Sequence, residues 1–336
     1  MSESRRAEQK TSFLRTTQWG KADIYRIAGD ASNRKYDRLS LNGASAILMD
    51  APRDKGEDVA PFISVAQYLM GIGLSAPRIL AQDKDAGFLL LEDLGDDLFA
   101  RVVLNDPDLE RPVYEAAIDA LTTLHHADPM AGLKAYDAPT MTPLAALAYD
   151  WYRGESIGRN QYDANAIAKA EFSAEMGSVL ASFTQCSVTI LRDYHAENLL
   201  WLPDRKGAAR VGQLDFQDAM LGDPAYDLVS LLMDARRDVP PELAQQMIDY
   251  YVSKNGMDKA RFETRYHVVG AQRNLRILGV FARLSRRDGK THYVDLIPRV
   301  WDHLMVNLAH PSLDRIAPLI KRDLPAPSAE ILDRLR

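Results

Sequence analysis

Short apolar runs alternate with polar breaks over the first ninety or so residues, a pattern typical of a small antiparallel sheet. The pair Asn42-Gly43 lies between two of these runs and predicts a tight hairpin, because this dipeptide favours the turn that joins paired strands. Apolar residues then recur at helical spacing from Phe62 to Leu69 and predict a helix over residues 59–70. The predicted strands cover residues 24–28, 36–41, 44–49, 79–82 and 88–91.

Strand patterns nearly disappear after residue 92, and amphipathic helical patterns take their place. A further short helix is expected near Phe13 and Leu14, and residues 324–328 are expected to form a loosely packed tail. The predicted helices of the second part cover residues 112–125, 143–152, 164–184, 227–235, 241–253, 261–284 and 294–308.

This change of pattern predicts an α+β protein with two lobes. Residues 1–92 would form a small lobe built on an antiparallel sheet, residues 93–95 a hinge, and residues 96–336 a larger, mostly helical lobe.

Three polar residues interrupt the apolar runs of the second part in a way that indicates chemistry. Asp193 follows an apolar strand, Asn198 precedes the run 199–202, and Asp215 ends the run 211–214. Turn residues between those two runs predict a hairpin, which would bring Asn198 beside Asp215. Two carboxylates and an amide form an oxygen site for a hard cation, with one carboxylate left for proton handling.

Composition narrows the class of protein further. The chain has 336 residues, 46% hydrophobic and 26% charged, and a net charge of −6, so neither nucleic acid nor an anionic membrane is the expected partner. Cys186 is the only cysteine, which excludes an internal disulfide and a cysteine-based zinc site. The N-terminus lacks the apolar segment of a signal peptide, and a cytoplasmic monomer acting on a small molecule is expected.

Three ordered motifs resemble those of the aminoglycoside phosphotransferase family, which has the protein-kinase-like fold. The first is Asp193-Tyr-His195-Ala-Glu-Asn198, a catalytic loop of the form Asp-x-His-x-x-Asn. The second is Leu214-Asp215-Phe-Gln-Asp218-Ala219, and the third is Gly222-Asp-Pro-Ala-Tyr-Asp227-Leu228. The resemblance extends from about Tyr25 to beyond Asp227 and implies a kinase that uses ATP and Mg²⁺.

The resemblance also implies roles for individual residues. Asp193 would be the catalytic base, and Asn198 and Asp215 would hold Mg²⁺. His195 and Asp227 would support the catalytic loop. The nucleotide-binding candidates are the hinge residues Glu92 and Leu94, which would offer backbone groups to adenine, and a loop over the phosphates with Gly29, Ser32, Asn33, Arg34 and Lys35.

Two positions depart from the family pattern. Met49 occupies the place where kinase-like proteins carry a phosphate-binding lysine, so Arg34 or Lys35 is expected to supply the cation. Leu191 stands where many relatives have a histidine that packs the loop, and this change affects loop geometry more than chemistry.

Four residues are candidates for binding the acceptor. Trp151 and Tyr152 could stack on a sugar ring or serve as helix packing, and packing is favoured. Arg273 and Arg276 could bind an anionic substrate such as a lactyl carboxylate, or lie on a salt-bridged helix face.

A closer resemblance is to bacterial anomeric sugar kinases, which phosphorylate the 1-hydroxyl of N-acetylmuramate and N-acetylglucosamine. It rests on Gly29-Asp-Ala-Ser32, Met49-Asp-Ala-Pro52 and Gln272-Arg-Asn-Leu-Arg276-Ile-Leu-Gly279 with Arg283-Leu. An aminoglycoside or other small-alcohol kinase is the alternative within the family. A nucleotide-binding pseudoenzyme, suggested by Met49, is the alternative from another class.

Overall fold

The chain forms two compact units, each assembled from separate stretches of sequence. The structure, a computed structural model, describes residues 3–27, 33–157 and 162–336. The first unit comprises residues 1–123 and 197–218, and the second comprises residues 124–196 and 219–336. The predicted hinge, residues 93–95, lies within the first unit. The division into lobes 1–92 and 96–336 stays a prediction.

A five-stranded antiparallel sheet with the order β1-β2-β3-β5-β4 is the centre of the first unit. The predicted strands are confirmed to within about two residues at each end, and Asn42 has a positive φ of 51°, as the predicted hairpin turn requires. The strands are β1 Asp23–Ile27, β2 Lys35–Leu41, β3 Ala44–Asp50, β4 Ile79–Asp83 and β5 Phe88–Glu92.

One face of this sheet packs against a helix at the N-terminus. The helix α1 covers Glu3–Arg15, so it is much longer than the short helix expected near Phe13. An aromatic contact joins α1 to the sheet, because the ring of Phe13 stacks on that of Phe88 in β5 with centroids 5.6 Å apart. The buried cluster on this face also contains Leu14, Trp19, Leu39, Ala46, Leu48 and Leu90. This face therefore belongs to the hydrophobic core of the unit.

Two helices and a second hairpin complete the first unit. The helix α2 covers Ala60–Gly71 and has Pro61 in its first turn, where the fixed φ of proline suits a helix. The helix α3 covers Phe99–Asn105 and was not predicted. The strands β7 Leu199–Trp201 and β8 Val211–Gln213 pair antiparallel, which confirms the predicted second hairpin.

Helices dominate the second unit, and α4, Glu110–His126, crosses between the units at residue 123. The strands β6 Val188–Ile190 and β9 Met220–Gly222 pair antiparallel and hold the segment before Asp193. The helices are α5 Ala138–Ala145, α6 Gly154–Ile157, α7 Tyr162–Phe183, α8 Ala225–Leu232, α9 Pro241–Lys254, α10 Lys259–Asp288, α11 Ile297–Leu308, α12 Ala317–Asp323 and α13 Ala329–Leu335. A π-helical turn covers Ala148–Arg153.

The 30-residue helix α10 is the centre of this unit. Gly279 lies where α10 passes closest to the chain after α5, and a Cβ at that position would collide with the backbone of Leu147. Glycine is therefore required here for the approach of the two segments and not for its conformational freedom.

The prediction of a loosely packed C-terminal tail is wrong. Leu324 is 3% exposed and Leu335 is fully buried. Tyr152 donates its hydroxyl hydrogen to the carbonyl of Pro325 at 2.7 Å, and Ser285 does the same to Leu335 at 2.6 Å. The proline-rich segment 324–328 predicted a loose tail because these hydrogen bonds are made with distant parts of the chain and leave no local signal. Among the described helices, none is long and apolar enough to cross a membrane.

Candidate active site

The β7–β8 hairpin brings the two predicted metal-binding residues together in the first unit. Leu199 pairs with Gln213, and the amide of Leu214 donates to the carbonyl of Asn198 at 2.9 Å. Asp215 is therefore the next residue after Leu214, whose amide is hydrogen-bonded to Asn198. The predicted neighbourhood of Asn198 and Asp215 is confirmed.

Asp215 has an unusual backbone conformation that its neighbours stabilise. Its φ is +54°, in the left-handed region that aspartate tolerates better than most residues. Gln217 donates to the Asp215 carboxylate at 2.7 Å. The residue after Asp215, Phe216, is fully buried, and its ring centroid lies 4.8 Å from that of Phe62 on α2. The strained turn is thus held by packing on one side and a hydrogen bond on the other.

The donor atoms of this pair suit magnesium in combination with a nucleotide. Asp215 offers carboxylate oxygens and Asn198 an amide oxygen, the hard ligands that Mg²⁺ prefers, and protein sites commonly supply one or two such groups beside substrate phosphates and water. In the described parts of the chain, no group of three or more His, Cys, Asp or Glu residues could hold a metal ion by itself. A site completed by phosphates fits these residues better than a closed protein cage.

The predicted hinge is held by an arginine that sequence reasoning missed. Arg38 on β2 forms ion pairs with Asp93 at 2.8 Å and with Asp96 at 2.7 Å. Glu92 ends β5, and its carboxylate forms ion pairs with Arg205 at 2.9 Å and with Arg78 at 3.1 Å. The Glu92 side chain is therefore occupied by structural ion pairs.

Leu94, the other hinge candidate, packs at the base of the β7–β8 hairpin. Its Cδ1 lies 3.2 Å from the position that a Cβ on Gly212 would occupy. The amide of Glu92 donates to the carbonyl of Arg78 at 2.8 Å. The carbonyl of Glu92 and the backbone of Leu94 therefore stay candidates for adenine.

The register of β2 and β3 places the phosphate-loop candidates on different faces of the sheet. Lys35 pairs with Asp50 on the face that packs against α1, whereas Tyr36 pairs with Met49 on the opposite face. Arg34 donates to Glu57 at 2.8 Å, and the amide of Asn33 donates to the same carboxylate at 3.1 Å.

Gly29 and Ser32 lie outside the described residues.

In the second unit, Asp193 lies at the end of a short segment that a buried carboxylate holds in place. The amides of Leu191 and Arg192 donate to the two oxygens of Asp227 at 2.7 and 2.8 Å. Arg192 has a φ of +73°, so the chain turns sharply just before Asp193. This is the contact expected of Asp227 as a support of the catalytic loop.

Burial controls the ionisation of the supporting groups. Asp227 is fully buried, which raises the pKa of its carboxyl to about 7, although the two amides act in the opposite direction. Burial also lowers the pKa of His195 to about 4, with Asp234 opposing the shift. His195 is therefore neutral near pH 7, and its 6% exposure favours a loop-shaping role over proton transfer.

Asp234 is a second support that the motif comparison did not reveal. Its carboxylate receives the amide of Ala196 at 3.3 Å and the amide of Arg236 at 2.9 Å. An acid far along the chain gives no local signal of such a contact. The loop is thus held before and after Asp193 by two different carboxylates.

The two candidate arginines of α10 have different surroundings. Arg273 is 5% exposed and donates to Ser230 at 2.7 Å, and Ser230 donates to the carbonyl of Arg192 at 3.1 Å. Arg273 therefore supports the chain before Asp193.

Arg276 is hydrogen-bonded to the side chain of Tyr226 and interacts electrostatically with Tyr136 and Asp193. Burial opposes its charge, but Tyr226, Tyr136 and Asp193 outweigh burial and raise the pKa of the guanidinium. The rings of Tyr136 and Tyr226 meet edge to face at 5.0 Å, and the Arg192 guanidinium lies 5.4 Å from the Tyr136 ring. This places a second cationic side chain beside the same pair of rings.

Trp151 and Tyr152 lie in the π-helical turn, away from these groups in sequence. Tyr152 is fully buried and its ring lies 6.2 Å from that of Trp301, so its contacts are those of a core side chain. Trp151 is half-buried. Packing, the favoured interpretation of Tyr152, agrees with these contacts.

Residues 23–262 match the model of the Phosphotransferase enzyme family. The chain belongs to this family. It is an enzyme of the phosphotransferase class, a kinase with an alcohol group as acceptor, and as a family member it uses ATP.

A curated relative supports this assignment over nearly the full length of both chains. N-acetylmuramate/N-acetylglucosamine kinase of Caulobacter vibrioides is 39% identical, and the match covers 96% of this chain and 98% of the relative.

Solved structures share the fold at low sequence identity. Choline kinase LicA of Streptococcus pneumoniae has a TM-score of 0.61 at 13% identity, covering 91% of this chain and 100% of LicA. An aminoglycoside phosphotransferase of Streptomyces rimosus, in complex with ADP and streptomycin, has a TM-score of 0.52 at 19% identity, covering 78% and 96%. The predicted α+β, protein-kinase-like fold is confirmed.

Proposed function

We propose that this enzyme transfers the γ-phosphoryl group of ATP to the anomeric hydroxyl of N-acetylmuramate and N-acetylglucosamine. The observation that carries the proposal is the catalytic segment around Asp193, whose backbone is held by Asp227. The chain that contains it is similar over nearly its full length to an N-acetylmuramate/N-acetylglucosamine kinase. A cytoplasmic location is part of the proposal, because ATP is the donor, and a monomer acting on a small molecule stays an expectation from the sequence.

Catalysis would depend mainly on positioning and on neutralising charge. Asp193 would orient the sugar hydroxyl and accept its proton. Asn198 and Asp215 would hold Mg²⁺, which would neutralise part of the phosphate charge. The backbone of Glu92 and Leu94 would contact adenine, and the loop that contains Gly29, Ser32 and Asn33 would cover the phosphates.

Asp193→Asn is the test of this mechanism. Asparagine keeps the shape of the side chain but cannot accept the proton, so kcat with N-acetylmuramate is expected to fall by about 10²–10⁴ while ATP binding is retained. A coupled ADP-release assay measures the rate, and phosphorus NMR places the phosphate on O1 of the sugar. Asp204→Asn, on the exposed turn after β7, is the control and should keep its activity.

The alternatives give different results in the same assay. Turnover of aminoglycosides or choline with no turnover of the amino sugars would replace the proposed acceptor. ATP binding without turnover of any acceptor would indicate a pseudoenzyme. Full activity of Asp193→Asn on the true acceptor would remove Asp193 from the role of base.

A further inference from the structure

The face of the sheet that carries Met49 lacks the usual strand lysine. Met49 is 1% exposed and pairs with Tyr36 across β2 and β3. The triphosphate of ATP carries several negative charges, and one divalent cation compensates only part of them. A kinase with methionine at this position needs a cation from another element.

Arg34 lies immediately before β2, and Glu57 fixes the direction of its side chain. The Nε of Arg34 donates to the Glu57 carboxylate at 2.8 Å, and the two side chains are only 14% and 12% exposed. The other Glu57 oxygen accepts the amide of Asn33 at 3.1 Å, and the Asn33 side chain donates to the carbonyl of Lys55 at 3.2 Å. One carboxylate thus holds both the backbone and the guanidinium at the entry to β2.

A chain of interactions links Arg34 to the candidate metal residue. Arg34 is hydrogen-bonded to the side chain of Tyr36, and Tyr36 also interacts electrostatically with Asp215. Burial opposes the charge of Arg34, but Tyr36 and Glu57 outweigh it and raise the pKa of the guanidinium. Its five N–H donors allow it to bind Glu57 and Tyr36 and still donate to a phosphate oxygen.

Lys35, the other candidate, lies on the wrong face for this task. It pairs with Asp50, and it lines a cavity of about 270 Å³ with Arg6 and Lys10 of α1. Successive residues of a strand point to opposite faces, so Lys35 and Tyr36 lie on different faces. The hydrogen bond between Arg34 and Tyr36 places the Arg34 side chain on the side of Tyr36.

We propose that Arg34, positioned by Glu57, binds the β- and γ-phosphates in place of the strand lysine that Met49 replaces. The inference rests on the proposed use of Mg·ATP and adds a positioning residue, Glu57, to it. Arg34 lies just before β2, and its partner Glu57 lies just before α2.

The test compares ATP with AMP, which lacks the β- and γ-phosphates, by calorimetry on the full chain. Arg34→Ala is expected to weaken ATP binding by about tenfold to a hundredfold, the value of hydrogen bonds to charged groups, and to change AMP binding less than about twofold. Glu57→Gln should show a smaller loss of the same kind, because the guanidinium remains but is less well held. Lys35→Ala is the matched control and should bind both nucleotides as the wild type does.

A rescue variant tests the placement itself. Met49→Lys in the Arg34→Ala background puts a cation on the same face by way of β3, and it should recover part of the lost ATP affinity. AMP binding shows that each variant is folded at the nucleotide site. A double variant that binds AMP normally but recovers no ATP affinity contradicts the placement of Arg34.

Equal losses for ATP and AMP in Arg34→Ala, no loss at all, or a loss in Lys35→Ala would also overturn the inference. These results differ from failure of the proposed function, which would appear as a wild-type chain that does not bind ATP or phosphorylates no amino sugar.

Discussion

At the residue scale, Arg276 offers the sharpest test of the acceptor. It interacts with Asp193, Tyr136 and Tyr226, so an acidic sugar placed at Asp193 would bring its carboxylate near a guanidinium. Arg276→Gln is expected to lower kcat/KM for N-acetylmuramate by about tenfold or more relative to N-acetylglucosamine, which has no carboxylate. Initial rates with each sugar measure this ratio.

The control for this variant lies on the same helix. Arg261→Gln changes an exposed arginine in the first turn of α10 and should leave the ratio of the two sugars unchanged. Equal losses for both sugars in Arg276→Gln would mean that Arg276 supports Asp193 and does not recognise a carboxylate.

The sequence alone could not show on which face of the sheet each of two neighbouring basic residues at the start of β2 lies. Arg34 and Lys35 are both basic and adjacent, and only the pairing of Lys35 with Asp50 and the contact of Arg34 with Tyr36 show where each side chain lies. The partner of Arg34, Glu57, is 23 residues away, in a charged stretch that predicted only a loop. Long-range pairs of this kind leave no periodic signal in the chain.

At the element scale, the helix α8 holds the catalytic segment through the buried carboxylate of Asp227 and the hydroxyl of Ser230. Asp227 has a pKa of about 7 in the folded chain because it is buried, whereas an unfolded aspartate has a pKa near 3.9. Between about pH 4 and 7 the unfolded state therefore binds fewer protons than the folded state. The contribution of Asp227 to the free energy of unfolding falls as pH rises through this window and is constant above it.

Asp227→Asn should remove this pH dependence and weaken the segment. The asparagine side chain has only one acceptor oxygen for the two amides that Asp227 receives, so the free energy of unfolding is expected to fall by about 1–3 kcal/mol. Urea unfolding between pH 4.5 and 7.5 measures both effects. Asp302→Asn, an exposed change on α11, is the control, and an unchanged slope in Asp227→Asn would assign the titration to another group.

Elements that depend on neighbouring residues were predictable, and elements that depend on distant partners were not. Asn42-Gly43 and the turn after Leu202 specify their hairpins locally, so the β2–β3 and β7–β8 pairs were predicted. The docking of Phe13 on Phe88 and the burial of Leu335 arise from contacts between residues that are far apart in the sequence. The motifs at Asp193 and Asp215 were found because they are contiguous, whereas Asp234 was missed.

At the scale of the whole molecule, ligand binding and stability are linked, which provides a test of the metal residues without any acceptor. A nucleotide that binds only the folded state adds about 2.7 kcal/mol to stability at a concentration one hundred times its Kd. If Asn198 and Asp215 bind Mg²⁺ with the phosphates, ATP should raise Tm strongly with magnesium and weakly after chelation with EDTA.

Asp215→Ala should remove the difference between these two conditions, because it deletes the carboxylate ligand and leaves the hinge that would contact adenine. Thermal unfolding with ATP, with and without magnesium, measures the difference, and AMP serves as the nucleotide whose effect should not depend on the metal. Since Asp218 lies three residues further along the same loop, Asp218→Ala distinguishes a specific ligand from a general loss of negative charge. If Asp218→Ala removes the magnesium effect and Asp215→Ala keeps it, the metal is held by Asp218, and the role proposed for Asp215 is wrong.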